Sequence, residues 1–180
     1  MKHYTSKLSN YDDLTSLKTF GFRGEALSSL CALSSLHVVT ARAEEVPKGT
    51  RLDFQTSGAL KDTKVVACQQ GTTVAVENLF KNLPVRRREL EKNIKREYGK
   101  VLGVLQAYAC ISTGVKFGVS HQVGNGKKAV VFATKANPST RENIANVFGA
   151  KTLTALIPLD LRLELQSGAG QRWSTQEDGG

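Results

Sequence analysis

Cysteine is scarce in this sequence, and the three that occur, Cys31, Cys68 and Cys110, lie far apart. There is no Cys-x-x-Cys pair and no cluster of cysteine with histidine, which argues against a zinc site and against a disulfide framework. No apolar run approaches the roughly 20 residues of a membrane span, and the polar N-terminus does not resemble a secretory signal. We therefore expect reduced thiols, no metal site, no membrane contact, and a cytosolic or nuclear location.

Acidic residues are too few to balance the basic ones. Asp and Glu number 16 against 25 for Lys and Arg, which leaves a formal net charge of +9 in 180 residues. Such a surface attracts polyanions, with nucleic acid the leading candidate and nucleotides or acidic proteins also open. Because 40% of the residues are hydrophobic, the chain has enough apolar material for one medium domain or two small ones.

The apolar spacing predicts an α/β chain, of the α+β kind, in which an antiparallel sheet is followed by a second small unit. We expect a helix over 25–34, with Leu27, Leu30 and Cys31 on one apolar face, and a long helix over 86–111 that glycines weaken in the middle. Strands are predicted over 36–41, 49–54, 61–67, 71–76, 115–122, 129–135 and 153–158, with a helix from about Ser139 to Phe148.

Two glycines, Gly21 and Gly24, directly precede the first predicted helix. Glycine allows positive φ and a close approach of the backbone to a ligand, and the free amides of a helix N-terminus suit phosphate oxygens. Arg23 would add a fixed positive charge beside them. On spacing alone, an ordinary turn before an amphipathic helix explains the pattern as well.

The segment from Lys81 to Lys100 has a local excess of positive charge. Its candidate DNA-contacting residues are Arg86, Arg87, Arg88, Lys92, Lys95 and Arg96. They would neutralise phosphates without reading sequence. A solvated helix with i, i+4 pairs such as Glu91 with Lys95 is the alternative, and 86–88 is also typical of part of a nuclear-import signal.

Three motifs in one order, Phe-Gly-Phe-Arg-Gly-Glu-Ala-Leu at 20–27, Gly-Thr-Thr-Val at 71–74 and Leu-Pro-Val-Arg-Arg from Leu83, precede the basic helix. Together they resemble the MutL family of DNA mismatch repair proteins, and the eukaryotic Pms branch in particular. The resemblance extends from about Lys2 to Ile157. It implies part of a GHKL-type ATPase sandwich over 1–112 and the start of a transducer domain of the gyrase-B second-domain type over 113–165, with the boundary near Thr113. Residues 166–180 do not match the family and are expected to be a disordered tail.

The resemblance also implies roles for individual residues. The phosphate-binding turn corresponds to Gly21, Phe22, Arg23, Gly24 and Glu25, the end of the ATP lid to Thr5, Ser6 and Lys7, and the adenine-side threonine to Thr72. Thr73 remains an alternative to Thr72, and an ordinary strand threonine is the alternative to both.

The family's general-base Glu and magnesium-binding Asn belong to a helix before the lid, and this chain begins inside the lid. The adenine-binding Asp-x-Gly-x-Gly motif is also missing from the sequence. Without a base and a metal ligand the attacking water is not activated, so we assign no catalytic residue and no metal ligand and expect no ATP hydrolysis by this chain alone.

The resemblance implies a nuclear MutL-type mismatch repair protein, whose intact relatives bind ATP, Mg²⁺ and double-stranded DNA and pair with an Mlh-branch paralogue. The alternative is a non-catalytic DNA-binding or protein-interaction module that keeps the fold. A topoisomerase subunit or a chaperone of the same ATPase superfamily is disfavoured by the motifs at 20–27 and from Leu83.

Overall fold

The computed structural model describes residues 10–16, 21, 24–157 and 159, and it divides the chain into two compact units, 1–99 and 100–180. The predicted boundary near Thr113 and the predicted domain spans remain predictions. The predicted tail over 166–180 lies outside the described residues. Within the described part of the chain, no helix is both long and apolar enough to cross a membrane.

The first unit is built on an antiparallel sheet. In chain order its elements are a 3₁₀ helix Tyr11–Ser16, α1 Ala26–Leu33, β1 Ser35–Ala41, a 3₁₀ turn Ala43–Glu45, β2 Lys48–Phe54, β3 Leu60–Ala67, β4 Gly71–Glu77, α2 Pro84–Lys92 and the start of α3 Ile94–Ile111. The four strands lie in the order β3-β2-β1-β4, and every neighbouring pair is antiparallel. The predicted pairing of the strands over 36–41 and 49–54 is therefore confirmed.

The strand register separates an apolar from a charged face of the sheet. Val38 lies opposite Leu52 on one side and Val74 on the other, so these three side chains share a face. On the opposite face His37 lies across from Asp53. The alternation of apolar and polar residues along each strand produces this separation, because successive side chains of a strand point to opposite faces.

Gly49 is a point of close approach between β2 and its neighbours. It is buried, and a Cβ built on it would overlap the Cys68 sulfur and come within 2.8 Å of the Thr40 carbonyl oxygen and 3.1 Å of the Ala41 Cβ. Only a residue without a side chain fits this position without movement of its surroundings.

Helix α1 is joined to β1 by a single residue, Ser34, whose hydroxyl donates a hydrogen bond of 2.5 Å to the Leu30 carbonyl. Of the predicted apolar face, Cys31 is buried at 4% exposure and Leu30 is half-buried. Leu27 is 55% exposed, so the expectation that it packs with them is wrong within the described residues. It lies in the first turn of α1, away from the junction with β1.

The predicted long helix over 86–111 is two helices that meet at Asn93. Asn93 has φ −106° and ψ 17°, and its side-chain amide donates to the Glu89 backbone oxygen at 3.0 Å and to Glu89 Oε1 at 2.5 Å. Asn competes for backbone groups in this way and therefore favours helix ends. Helix α3 continues through both Gly99 and Gly103, so the interruption falls at an amide side chain and not at the glycines.

The second unit contains the rest of α3, then β5 Gly118–His121, β6 Ala129–Ala133, α4 Thr140–Phe148 and α5 Ala150–Thr154. The predicted hairpin is confirmed, because β5 and β6 pair antiparallel across the turn at 124–127. The predicted start of the next helix is also confirmed, since the Ser139 hydroxyl accepts a hydrogen bond of 3.3 Å from the Glu142 amide and so caps α4.

The predicted strand over 153–158 is wrong for its described residues. Leu153 and Thr154 are the end of α5, and 155–157 belong to no helix or strand. In α5 the Thr152 hydroxyl donates to the Phe148 carbonyl at 3.0 Å and the Thr154 hydroxyl to the Lys151 carbonyl at 2.7 Å. Threonine hydroxyls satisfy the helix carbonyls locally, and this preference outweighs the β propensity of the short run.

The interior of the second unit is held by polar side chains as well as apolar ones. Asn143 is fully buried, and its amide donates to the carbonyls of Cys110 and Ser112 at 3.2 and 3.3 Å. Its oxygen accepts from Asn137 at 3.0 Å. Thr134 is equally buried, and its hydroxyl oxygen accepts from a neighbouring backbone amide at 2.9 Å. Every polar atom of Asn143 is thus paired, as burial requires.

Candidate functional site

Gly24 and Glu25, the described residues at the end of the predicted phosphate-binding turn, directly precede α1. Gly24 has φ +65°, a conformation that glycine adopts without strain, and Glu25 is the N-cap of an eight-residue helix. The Glu25 side chain makes no capping hydrogen bond, so the first-turn amides of α1 receive no acceptor from it. Those amides have no intrahelical acceptor and stay available to an oxygen ligand. Phe22 and Arg23 lie outside the described residues.

Thr72 lies at the start of β4, directly opposite Thr40 of β1. The two hydroxyl oxygens are 2.8 Å apart, and Thr40 Oγ1 also donates to the Gly71 carbonyl at 3.3 Å. Thr40 is a residue that the sequence did not single out, since only the strand register shows which side chain faces Thr72. Thr73 points to the other face of the sheet, because adjacent strand residues alternate.

The predicted nucleotide residues are therefore only partly brought together. Gly24 and Glu25 directly precede α1, whereas the side-chain partner of Thr72 within the described residues is Thr40 and neither of these two residues. Thr5, Ser6 and Lys7 lie outside the described residues. The arrangement offers backbone amides for phosphate and a hydroxyl pair on β1 and β4.

Two Glu-x-x-x-Asn spacings do occur in the chain, and both follow the glycine turn, whereas the resemblance places the general base before the lid. Glu89 and Asn93 bond to each other, with Asn93 Nδ2 2.5 Å from Glu89 Oε1. In the second pair, Glu142 and Asn146, the asparagine oxygen accepts from Asn137 at 2.9 Å. Neither pair is assigned the role of base and metal ligand. Among the described residues no group of three or more His, Cys, Asp or Glu side chains is placed to hold a metal ion.

The charged face of the sheet contains a pocket of about 320 Å³ in which most charges are paired. Arg51 and Asp53 lie 3.0 Å apart, and the Arg51 guanidinium holds the pKa of the Asp53 carboxyl below its ordinary value. Asp62 pairs with Lys64 at 3.0 Å, and the hydrogen bond from Lys64 likewise lowers the pKa of Asp62. Exposed pairs of this kind contribute little to the free energy of folding. Because the paired charges cancel, this face is a neutralised polar surface.

The six predicted DNA-contacting residues are all exposed on α2 and the start of α3. Two are paired, Arg87 with Glu91 at 2.9 Å and Arg96 with Glu97 at 3.2 Å. Within the described part of the chain, the side chains of the other four make no ion pair or hydrogen bond; they are Arg86, Arg88, Lys92 and Lys95. The alternative pairing of Glu91 with Lys95 is not formed, because Glu91 bonds to Arg87 instead.

The three cysteines are unpaired. Burial raises the pKa of the Cys31 and Cys110 thiols above the ordinary value. A raised thiol pKa lowers the fraction of reactive thiolate, so these two side chains behave as small apolar groups.

Comparison with known proteins places these features in a family. No protein-family model matches the chain. Several curated proteins named PMS1 or PMS2 match most of it; the DNA mismatch repair protein pms1 of Schizosaccharomyces pombe is 50% identical over 157 residues, which is 87% of this chain and 20% of that protein. The chain spans about a fifth of the length of the curated relatives it matches.

Solved structures agree with the α/β architecture. The crystal structure of the N-terminal domain of a DNA repair protein matches with 41% sequence identity and a TM-score of 0.74. The match covers 89% of this chain and 45% of the chain in that structure. The Aquifex aeolicus MutL ATPase domain complexed with ADP matches with 28% sequence identity and a TM-score of 0.54. The match covers 77% of this chain and 52% of the chain in that structure. The predicted α/β fold of the GHKL ATPase type is confirmed.

Proposed function

Since the chain belongs to the MutL family of DNA mismatch repair proteins, in its Pms branch, we propose that it acts in mismatch repair as a module that binds DNA through α2 and α3. The observation that supports this most directly is the set of four unpaired, exposed cations, Arg86, Arg88, Lys92 and Lys95. Unpaired cations along α2 and the start of α3 can neutralise the phosphates of a DNA backbone, and such contacts give binding without sequence preference.

We propose that the turn at Gly21–Glu25 is the phosphate-binding part of a nucleotide site, with Thr72 on its adenine side. Support comes from the positive φ of Gly24, the uncapped start of α1 and the ADP complex of a structural relative. The family resemblance implies that ATP and Mg²⁺ are the ligands of this site in intact relatives. Among the described residues no side chain is placed as a general base or as part of a metal site. We therefore propose that the chain by itself does not hydrolyse ATP, whether or not it binds the nucleotide.

The cellular setting is proposed from the family as well. Mismatch repair relatives from eukaryotes support a nuclear location, and the Pms branch implies pairing with an Mlh-branch paralogue. We propose that 1–112 is the later part of the ATPase domain, that 113–165 begins a transducer domain, and that 166–180 is a tail outside the family match. The alternative function is a protein-interaction module that keeps this fold without binding ATP.

The DNA proposal is tested by the salt dependence of duplex binding. Four unpaired cations predict a slope of log K against log salt of about −4, since each neutralised phosphate contributes about 0.9. The variant Arg88→Gln/Lys92→Gln/Lys95→Gln is expected to make the slope less steep by about 3 and to weaken duplexes of different sequence equally. Fluorescence anisotropy with a labelled duplex, across a range of salt concentrations, measures both.

A matched control removes the same charge elsewhere. Lys116→Gln/Lys127→Gln/Lys128→Gln also deletes three exposed cations, and it lies in the second unit. We expect it to keep the unmodified slope. An equal loss of slope in both triple variants would reject the assignment to α2 and α3 and leave only a net-charge effect.

A further inference from the structure

An apolar pocket opens within the basic segment, where the chain passes from β4 into α2 and from α2 into α3. It has a volume of about 250 Å³ and is lined by Phe80, Leu90, Asn93, Arg86 and Arg96 among others. All of these residues belong to the first unit. Pockets for drug-sized ligands begin at about 300 Å³, so this one suits a single planar ring and not a whole nucleotide.

The lining of the pocket is balanced in charge, since Arg86 and Arg96 stand beside Glu89 and Glu97. Both carboxylates are engaged locally, because Glu89 accepts a hydrogen bond from Asn93 and Glu97 accepts one from Arg96 at 3.2 Å. The guanidinium of Arg86 has no side-chain partner within the described residues. The other unpaired cations of the proposed duplex contact, Arg88, Lys92 and Lys95, lie on the same two helices, α2 and α3.

The backbone holds Phe80 in an unusual conformation. Its φ is +62°, in a region that residues with a Cβ adopt rarely. The Phe80 amide donates to the Leu33 carbonyl, the last of α1, at 2.7 Å, and the Phe80 carbonyl accepts from the Leu83 amide at 2.9 Å. The Lys81 amide in turn bonds to the Asn78 carbonyl at 2.9 Å. Such over-determined conformations of bulky residues occur preferentially at ligand contacts.

We propose that this pocket takes one unpaired nucleobase of a DNA strand, which stacks against Phe80 and Leu90 while the flanking phosphates lie on Arg86 and the cations of α2. Stacking on an aromatic side chain is tolerant of base identity, and it requires that the base be out of its duplex stack. The inference rests on the proposed DNA binding and adds a preference, namely that DNA with an unpaired base binds more tightly than a fully paired duplex.

The test compares three DNA ligands of equal length with the full chain at one salt concentration. They are a fully paired duplex, the same duplex with one extra unpaired adenine, and that bulged duplex with an abasic residue in place of the adenine. We expect the adenine bulge to bind at least about fivefold more tightly than the abasic bulge. This factor corresponds to the lower end of the affinity that one base gains by stacking on an aromatic ring. Replacing the adenine by 2-aminopurine should show quenching of its fluorescence on binding.

The protein side of the test is Phe80→Leu, which keeps an apolar side chain but removes the ring. It is expected to reduce the adenine preference to less than about twofold and to leave binding of the paired duplex unchanged. Phe148→Leu, at an exposed ring of the second unit, is the control and should keep the preference. If Phe80→Leu fails to fold, the adenine and abasic ligands still decide the question on the unmodified chain.

The outcomes separate this inference from the proposed function. One outcome is that the paired duplex binds in a salt-dependent way while the adenine and abasic bulges bind with equal affinity. It would overturn the base-binding role of the pocket but not the proposed DNA binding. The pocket would then be a contact for an apolar side chain of a protein partner. A preference retained in Phe80→Leu would overturn it too. No binding to any of the three ligands would overturn both proposals.

Discussion

Replacing Gly49 with alanine is expected to destabilise the sheet of the first unit, because the added Cβ has no space. Cys68 Sγ occupies the position of that atom, the Thr40 carbonyl oxygen is 2.8 Å away and the Ala41 Cβ is 3.1 Å away. The sulfur can turn aside, but the carbonyl belongs to β1, which pairs with β2 at this point. Accommodation therefore requires the two strands to separate by several tenths of an ångström.

The size of the effect follows from these contacts. Overpacking of a closely packed interior costs about 1–3 kcal/mol, and two nearly immovable neighbours put Gly49→Ala in the upper part of that range, at about 2–3 kcal/mol. For a unit of about 100 residues this corresponds to a fall of roughly 10–20 °C in the unfolding midpoint. Truncating Cys68 to alanine in the same chain removes one of the clashes and should recover about 1 kcal/mol.

Urea denaturation followed by circular dichroism measures these free energies of unfolding. Gly99→Ala is the matched control, since a Cβ at Gly99 meets nothing within 4 Å and the helical position should gain about 1 kcal/mol. The two Gly→Ala changes are thus expected to have opposite signs. A change below about 0.5 kcal/mol for Gly49→Ala, a size usual for open surface sites, would show that the close contact at β2 is not rigid.

Three further outcomes follow, two from the predicted nucleotide turn and one from the buried amide of the second unit. Purified chain incubated with ATP and magnesium should release no phosphate above the buffer blank, and measurable turnover would refute the absence of a general base. Calorimetric titration of a non-hydrolysable ATP analogue then separates a nucleotide-binding chain from an interaction module that does not bind nucleotide. Binding at micromolar affinity or tighter, abolished by Gly24→Val, would exclude the interaction module. Asn143→Ala should cost about 2–4 kcal/mol, since it removes a fully buried side chain and its hydrogen bonds to the carbonyls of the half-buried Cys110 and Ser112. The exposed Asn146→Ala should cost about 0.5 kcal/mol or less. Similar losses in both asparagine variants would refute the role given to the buried network.

Local patterns predicted most of the elements correctly. The β1–β2 pairing and the hairpin at 124–127 follow from alternation and turn residues, and the start of α4 follows from Ser139 three residues before Glu142. The family followed from three motifs in one order, because an ordered set is far more specific than any single motif. The strand pairing, the hairpin and the helix start each depend on residues close together in sequence, whereas the family depends on motifs spread from residue 20 to residue 87.

Two of the errors have the same cause, which is competition between a side chain and the backbone. Asn93 ends α2 by bonding back to Glu89, and an apolar period cannot show such a bond. Thr152 does the same in α5, where β propensity favours a strand. The pairing of Thr40 with Thr72 and the pocket beside Phe80 depend on strand register and on one backbone angle, and neither is encoded in local spacing.

The two outer strands of the first sheet differ in how they meet an incoming chain. Lys61, Asp62 and Lys64 lie along β3, and charges of this kind discourage a further strand from pairing there. Gly71 to Val76 of β4 has no charge, and Val74 and Val76 are 47% and 40% exposed. Within the described residues, β3 therefore carries charges that disfavour a further strand at its edge, whereas β4 carries none over 71–76. We expect a strand that extends this sheet to pair with β4.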